Sequence, residues 1–279
     1  MGHRITEKRI EEFGRYLEEN EKAASTVSRY MKEVQDFAAF LEGRAPEKTL
    51  LLEYRSRLHL RCRARTVNRK LSAIHSYLKY TDCAECRVKF LKVQKKAFLE
   101  DNRELTPEEY SRLLETAKRK GNWRLYYVMM TICSTGIRIG ELRYITAEAV
   151  RKGRAEIALK GKVRLILIPR ELQMRLEGYM RKERITSGPV FCSRYGNPLD
   201  RSNVCREMKN LCEAAGISAQ KVFPHNLRHL FARSFYQVEK DLAHLADVMG
   251  HSSIETTRIY VTASARDYEC TLNRMHLIL

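Results

Sequence analysis

Helical periodicity in nearly every long segment, interrupted by one β-like stretch, is the feature that most restricts the fold of this chain. In residues 26–41 and 66–80, apolar side chains recur at spacings of three and four, which places them on one face of a helix. Residues 155–169, AEIALKGKVRLILIP, instead alternate around a Lys-Gly-Lys turn and then enter a β-branched run. The sequence therefore predicts a mainly α fold with a small β-hairpin.

Two helical blocks are separated by a stretch without periodicity. The first block, residues 1–92, contains about four predicted helices, and Thr26 and Thr66 are the expected N-caps of two of them. Residues 93–104 carry dense charge and no apolar period, so we interpret them as a linker. We therefore expect a small helical domain followed by a second domain in residues 105–279.

The charge of the chain is strongly positive and unevenly distributed. The 279 residues include 52 Lys and Arg against 34 Asp and Glu, a net charge of +18. Residues 53–96 alone hold 13 basic and 3 acidic side chains. Such an excess favours a polyanionic partner, nucleic acid before an anionic membrane surface, although a solvated helical face is the simpler alternative. The predicted DNA-binding residues are Arg61, Arg63, Arg65, Arg69 and Lys70.

Several classes of protein are disfavoured by what the sequence lacks. It contains no run of about 18 apolar residues that could span a membrane, and its first residues lack the apolar core of a secretory signal. Cys83 and Cys86 form a CxxC, but no second half of a zinc site follows. We therefore expect a cytoplasmic protein with free thiols and no metal.

Three separated stretches carry candidate chemistry: TGIRIGEL, HNLRH and GHSSIETTRIY. Singly, each has an ordinary interpretation as a surface arginine, a loop histidine or a buried tyrosine. Together they supply two multi-donor cations for a phosphate, Arg138 and Arg228. His225 and His251 add donors or a proton acceptor near neutral pH, and Tyr260 adds a nucleophile that needs activation. The set describes a site for a phosphodiester.

The predicted hairpin could supply the remaining group that such chemistry needs. A lysine in its turn, Lys160 or Lys162, could protonate the leaving oxygen. The chain has no Walker motif and no dense carboxylate cluster for two metal ions, so the expected reaction needs no cofactor.

In the order and spacing of these three boxes, the chain resembles the tyrosine recombinases of the phage integrase type. The resemblance covers nearly the whole chain and implies a SAM-like helical core-binding domain before a catalytic domain. By this resemblance Arg138 and Arg228 clamp the scissile phosphate, His225 takes the proton of the nucleophile and His251 hydrogen-bonds the phosphate. Tyr260 attacks to give a 3′-phosphotyrosyl link and a free 5′-hydroxyl.

The resemblance also implies a supporting acid and a general acid. Glu141, three residues after Arg138, matches the acidic support position of the family. The turn LKGKVR is shorter than GKGxKxR, the commoner pattern of the family. When Lys160 is aligned with the first lysine of that pattern, Gly161 and Arg164 also align with its glycine and its arginine. We therefore favour Lys160 over Lys162 as the general acid.

The implied partner is double-stranded DNA at specific recombination sites. The resemblance implies a homo-tetramer on two DNA sites, with a monomer in free solution, and leaves open an accessory or partner recombinase. It allows DNA integration, excision or chromosome-dimer resolution. Two alternatives remain at this point: a type IB topoisomerase-like relaxing enzyme and a catalytically silent DNA-binding regulator.

Overall fold

A computed structural model of the chain describes residues 4–93, 104–159, 162–193, 195–251 and 253–258. The chain divides into two compact units, Met1–Lys95 and Lys96–Leu279. Lys160 and Tyr260, two of the predicted catalytic residues, lie outside the described residues, as does most of the predicted linker. The residue limits predicted for the two domains stay a prediction.

The first unit is helical and has its own apolar core. Its helices are α1 (Glu7–Glu19), α2 (Ala24–Leu41), α3 (Lys48–Arg61) and α4 (Ala64–Tyr80), followed by a single 3₁₀ turn (Ala84–Cys86). The side chains of Phe13, Phe37, Leu71 and Ile74 are fully buried between these helices. Burial of one stripe on each helix stabilises helices that intrinsic propensity alone would leave marginal.

The N-caps predicted at Thr26 and Thr66 are wrong. Both helices begin two residues earlier, at Ala24 and Ala64, and neither has a side-chain cap. The amide of Thr66 already donates to the carbonyl oxygen of Arg63, within the first turn. Alanine is the strongest helix former, so the helix extends through it and threonine takes an interior position.

The second unit is also mainly helical. Its elements, in chain order, are α5 (Pro107–Arg119), α6 (Trp123–Thr135), a 3₁₀ helix (Ile139–Tyr144), α7 (Ala147–Lys152), β1 (Arg154–Leu159), β2 (Lys162–Leu167), α8 (Arg170–Glu183), α9 (Arg201–Lys209), α10 (Cys212–Ala215), α11 (Pro224–Glu239), α12 (Leu242–Met249) and α13 (Ile254–Arg258). The mainly helical fold with one small antiparallel sheet confirms the predicted fold class.

The sheet is the predicted hairpin. Strands β1 and β2 pair antiparallel, with Arg154 opposite Leu167 and Leu159 opposite Lys162. Side chains alternate between the two faces of a strand, and Ile166 is buried whereas its neighbour Leu167 is 65% exposed. The hairpin therefore turns one apolar face inward and keeps the other in solvent.

Helix α6 forms the centre of the second core. Val128, Met129 and Ile132 are buried on it, and helix α11 packs across it through buried Leu227. This packing brings the end of α6 close to the first turns of α11, where two of the three sequence boxes lie. Among the described residues, none of the helices combines the length and the apolarity required to cross a lipid bilayer.

Candidate active site

The first box follows a tight turn at the end of α6. Gly136 ends the helix in the left-handed conformation, with φ of +64°. A Cβ at this position would overlap the ring of Phe231 on α11. Both the backbone angle and the close approach require glycine here, and the turn directs Arg138 to the start of the 3₁₀ helix.

Arg138 is held by a buried acid. The carboxylate of Glu141 accepts a hydrogen bond of 2.7 Å from the Arg138 backbone N–H and one of 3.0 Å from its Nη1. The Glu141 side chain is 6% exposed, whereas that of Arg138 is 47% exposed. A fixed arginine with an accessible face is suited to bind an anion from solution.

Arg228 lies in the second turn of α11 and is 1% exposed. Its Nη1 donates a short hydrogen bond to the carbonyl oxygen of Gly136. Its Nη2 lies 2.8 Å from the carbonyl oxygen of Met249 and 2.8 Å from Nε2 of His251. Arg228 therefore ties together the ends of α6 and α12 and the third box.

His251 is placed by the end of helix α12. Gly250 ends this helix in the left-handed conformation, and the His251 amide then donates to the carbonyl oxygen of Ala246. The second ring nitrogen of His251, Nδ1, lies 2.8 Å from Oγ1 of Thr257 on α13. Burial, followed by the charges of Arg228 and other arginines, lowers the pKa of His251 to about 4. The imidazole is therefore neutral at pH 7.

A third arginine, Arg164 of β2, joins the hairpin to this cluster. Its Nη1 donates a hydrogen bond of 2.5 Å to the carbonyl oxygen of Met249, which Arg228 also contacts. Its Nη2 lies 3.5 Å from Oε2 of Glu141. The carbonyl end of α12 thus faces two guanidinium groups, as favoured by the helix dipole.

His225 stands in the first turn of α11, beside His229. The two rings are T-shaped, with 4.7 Å between their centroids. Desolvation lowers the pKa of His225, and the charges of Arg228, Arg201 and Arg138 lower it further. His225 is therefore a neutral proton acceptor close to Arg138 and Arg228 in space. It is partly desolvated beside His229, yet it remains accessible to solvent.

The structure thus brings together Arg138, Glu141, His225, Arg228 and His251, which lie far apart in the sequence. Lys160 and Tyr260 lie outside the described residues; Tyr260 follows the last residue of α13 by two positions.

The five predicted DNA-binding residues of the first unit do not share one environment. The structure exposes the four arginines at the α3–α4 junction, which are Arg61, Arg63, Arg65 and Arg69. Lys70 is instead ion-paired with Glu33 and lies 3.7 Å from Asp36. Its charge is largely balanced within the protein.

Two residues with a role in this geometry, Arg164 and Thr257, were not among the site residues predicted from the sequence. A signal for Arg164 exists, because strand alternation places it on the same face as buried Ile166 and Ile168. A charged residue on an apolar strand face needs a buried partner. Thr257 has only its spacing of three from Tyr260, which is too weak a signal without the fold.

Two protein-family models match this chain. The model of the phage integrase family matches residues 103–266, and that of the phage integrase N-terminal SAM-like domain matches residues 10–82. Tyrosine recombinase XerA of Pyrococcus furiosus is 28% identical over 96% of this chain and 94% of its own. Tyrosine recombinase XerC of Roseiflexus castenholzii is 28% identical over 90% of this chain and 87% of its own.

The fold is also that of a solved integrase. A lambda integrase dimer bound to a core site superimposes with a TM-score of 0.72, at 18% identity, over 91% of this chain and 94% of its own. The family model and the tyrosine recombinase relatives define the class of protein: a DNA strand transferase that recombines DNA at specific sites through a tyrosine. The chain belongs to the phage integrase family.

Proposed function

We propose that this protein recombines duplex DNA at specific sites with Tyr260 as nucleophile and with Arg138, His225, Arg228 and His251 around the scissile phosphate. The observation that carries the proposal is the cluster in which two arginines from different boxes are held in fixed orientations by buried partners. Donors that are oriented before the reaction stabilise the charge that develops on a phosphorane-like transition state.

The two arginines have different parts in this proposal. Arg138, half exposed and held by Glu141, binds a non-bridging oxygen of the incoming phosphate. Arg228 is buried in the DNA-free protein, so direct contact with a phosphate oxygen requires a rearrangement when DNA binds. Loss of one such donor typically costs about 100- to 1000-fold in rate.

Proton transfer completes the cycle. Neutral His225 accepts the proton of the Tyr260 hydroxyl, whose ordinary pKa of about 10 keeps it protonated at pH 7. Lys160, which stands between β1 and β2 in the sequence and is favoured over Lys162, donates a proton to the leaving 5′-oxygen. The bond energy is retained in the 3′-phosphotyrosyl link, so religation by another 5′-hydroxyl needs no nucleotide cofactor.

We infer the partners of this chain from structures of proteins with the same fold. Structures with this fold include XerH bound to its difH substrate and a lambda integrase tetramer bound to a Holliday junction. We infer that this chain, acting in the cytoplasm, likewise assembles as a homo-tetramer on two DNA sites and is a monomer without DNA. Exposed arginines of the first unit, Arg61, Arg63, Arg65 and Arg69, supply sequence-independent contacts to phosphates.

A covalent-trapping experiment tests the nucleophile. Nicked duplexes that carry candidate sites from DNA flanking the gene are incubated with wild-type protein and with Tyr260→Phe, in the presence of a chelator. We expect a denaturant-resistant protein–DNA adduct with wild type alone, and mass spectrometry should place the DNA on Tyr260. An adduct that persists with Tyr260→Phe would overturn the assignment of the nucleophile.

Two controls separate the competing functions. Relaxation of a supercoiled plasmid without any candidate site, at the rate seen with a site, would indicate a topoisomerase. Tight binding with no adduct on any nicked site, together with unchanged binding by Tyr260→Phe, would indicate a DNA-binding regulator. Recombination between two sites on one plasmid is the result that the proposed function predicts.

A further inference from the structure

The His251 ring is held on both sides by side chains. Its Nε2 lies 2.8 Å from Nη2 of Arg228, and its Nδ1 lies 2.8 Å from Oγ1 of Thr257. The guanidinium group has donors only. Nε2 must therefore accept the hydrogen bond from Arg228 through its lone pair.

The proton of the ring is then fixed by elimination. A neutral imidazole has one N–H and one acceptor nitrogen, and burial lowers the pKa of His251 to about 4, so the ring is neutral at pH 7. Since Nε2 accepts, Nδ1 carries the proton and donates it to the hydroxyl oxygen of Thr257. The partner of one ring nitrogen sets the tautomer of the other.

Thr257 is the buried end of this chain of contacts. Its side chain is fully buried, whereas the neighbouring Thr256 is exposed. A buried hydroxyl without a partner is costly, so its contact with His251 is a structural requirement for both groups. Thr257 lies on α13, three residues before Tyr260 in the sequence.

Resting on the proposed function, we propose that Thr257 is a positioning residue for DNA cleavage. Its hydroxyl accepts the hydrogen bond from Nδ1–H and so holds the orientation of the His251 ring in which Nε2 faces Arg228. It thereby connects α13, the helix that leads to the nucleophile, with the guanidinium that binds the phosphate.

The chemistry of a hydroxyl suits this task in both tautomers. A threonine O–H can accept from Nδ1–H, and it can rotate to donate to Nδ1 when that nitrogen is unprotonated. The ring can thus stay in place if Nε2 gains a proton to donate to a DNA phosphate. Valine has the same shape as threonine and can do neither.

The first test reads the tautomer directly. The full-length protein is labelled with ¹⁵N-histidine, and the His251 ring signals are assigned by their loss in His251→Gln. At pH 7 without DNA, we expect a pyrrole-type Nδ1 and a pyridine-type Nε2. Thr257→Val should shift the Nδ1 and Hδ1 signals, because Nδ1–H loses its hydrogen-bond acceptor, while Thr257→Ser should keep the wild-type pattern.

The second test measures cleavage. With the nicked duplex described above, we expect Thr257→Val to lower the rate of adduct formation about 10- to 100-fold, because a buried N–H loses its acceptor. DNA affinity should change by less than about twofold, since other phosphate contacts dominate it. Thr257→Ser, which retains the hydroxyl, should restore most of the rate.

Thr256→Val is the matched control, because it makes the same change one residue earlier on an exposed side chain. Equal cleavage rates for Thr257→Val and Thr256→Val would overturn the positioning role. If the His251 ring of the wild-type protein carried its proton on Nε2, the proposed tautomer would be wrong. This measurement does not require Thr257→Val to fold. Absence of any adduct with wild type would count against the proposed function alone, because the ¹⁵N signals do not depend on activity.

Discussion

Glu141 is the acid that balances the arginines of the site. It accepts hydrogen bonds from the backbone and side chain of Arg138, and it faces Arg164 at 3.5 Å. Glu141→Gln keeps the shape but removes the charge, which leaves two guanidinium groups without their counter-ion. We expect unfolding free energy to fall by about 1–3 kcal/mol, measured by urea denaturation.

Adduct formation by Glu141→Gln should also slow, because Arg138 loses its fixed orientation. Glu213→Gln, at an exposed position of α10, is the control and should match wild type in both measurements. A variant of Glu141 with wild-type stability and wild-type cleavage would show that Arg138 is positioned without it.

His229 gives the molecule a predictable dependence on pH. Burial, followed by the charges of His225 and Arg228, lowers its pKa to about 4 from the ordinary 6.5. Between these values the unfolded chain binds a proton that the folded protein does not. The stability that neutral His229 contributes is therefore fully present above pH 6.5 and is lost as the pH falls toward 4.

The comparison of wild type with His229→Asn isolates this effect. Urea unfolding at pH 7, 6 and 5 should show wild type losing more stability than the variant, by at most about 1.4 kcal/mol per pH unit. The partial exposure of the ring makes the difference smaller than this limit. Parallel pH profiles for the two proteins would contradict the lowered pKa.

At the scale of elements, the hairpin contacts the end of helix α12 at Gly250, where there is no room for a side chain. Gly250 has φ of +62°, and a Cβ on it would overlap the side chain of Arg164. Gly216 has φ of +65° but open space around the same position. Alanine costs about 1–2 kcal/mol at either site for the left-handed backbone. Gly250→Ala should cost a further ~1–3 kcal/mol for the overlap.

The unfolding free energies of Gly250→Ala and Gly216→Ala test this contact. If the two losses were equal, Arg164 would not pack against the end of α12. The difference should shrink in an Arg164→Ala background, since that substitution removes the atoms that a new Cβ would meet.

The elements that could be predicted from the sequence are those with local signals. Helix periodicity and the Lys-Gly-Lys sequence predicted the two helical blocks and the hairpin, and the antiparallel pairing of β1 with β2 confirms the hairpin. The starts of α2 and α4 were misplaced because Thr26 and Thr66 look like caps, whereas the helices extend through Ala24 and Ala64.

The site was predictable only in part, for a different physical reason. Arg138, His225 and His251 stand in boxes whose order points to a phosphodiester. The shared carbonyl of Met249 and the hydroxyl of Thr257 are contacts between distant segments. No local period signals such contacts, so tertiary packing alone determines them.

At the scale of the whole molecule, the net charge of +18 is a sum over side chains that lie in different environments. In the second unit, buried guanidinium groups such as those of Arg164 and Arg228 are oriented by carbonyl oxygens. At the α3–α4 junction of the first unit, the arginines are exposed. Only exposed, unbalanced charge releases counterions when it meets DNA. Burial and pairing therefore matter more for DNA affinity than composition does.

Adjacent residues of α4 provide a test of this distinction. Arg69 is exposed, whereas Lys70 is paired with Glu33, a glutamate that is 7% exposed. We expect Arg69→Ala to reduce the slope of log affinity against log salt by about 0.9, the value for one lost phosphate contact. Lys70→Ala should leave the slope unchanged and instead lower the unfolding free energy, because it isolates a buried carboxylate.

The slope is measured by fluorescence anisotropy of a labelled duplex between about 50 and 200 mM salt, the range over which such contacts change affinity strongly. Urea unfolding of the same two variants gives the stability. If Lys70→Ala lowered the slope as much as Arg69→Ala, Lys70 would exchange Glu33 for a phosphate when DNA binds. Glu33 and the DNA phosphate would then compete for Lys70, and raising the salt concentration would weaken both of these ionic contacts.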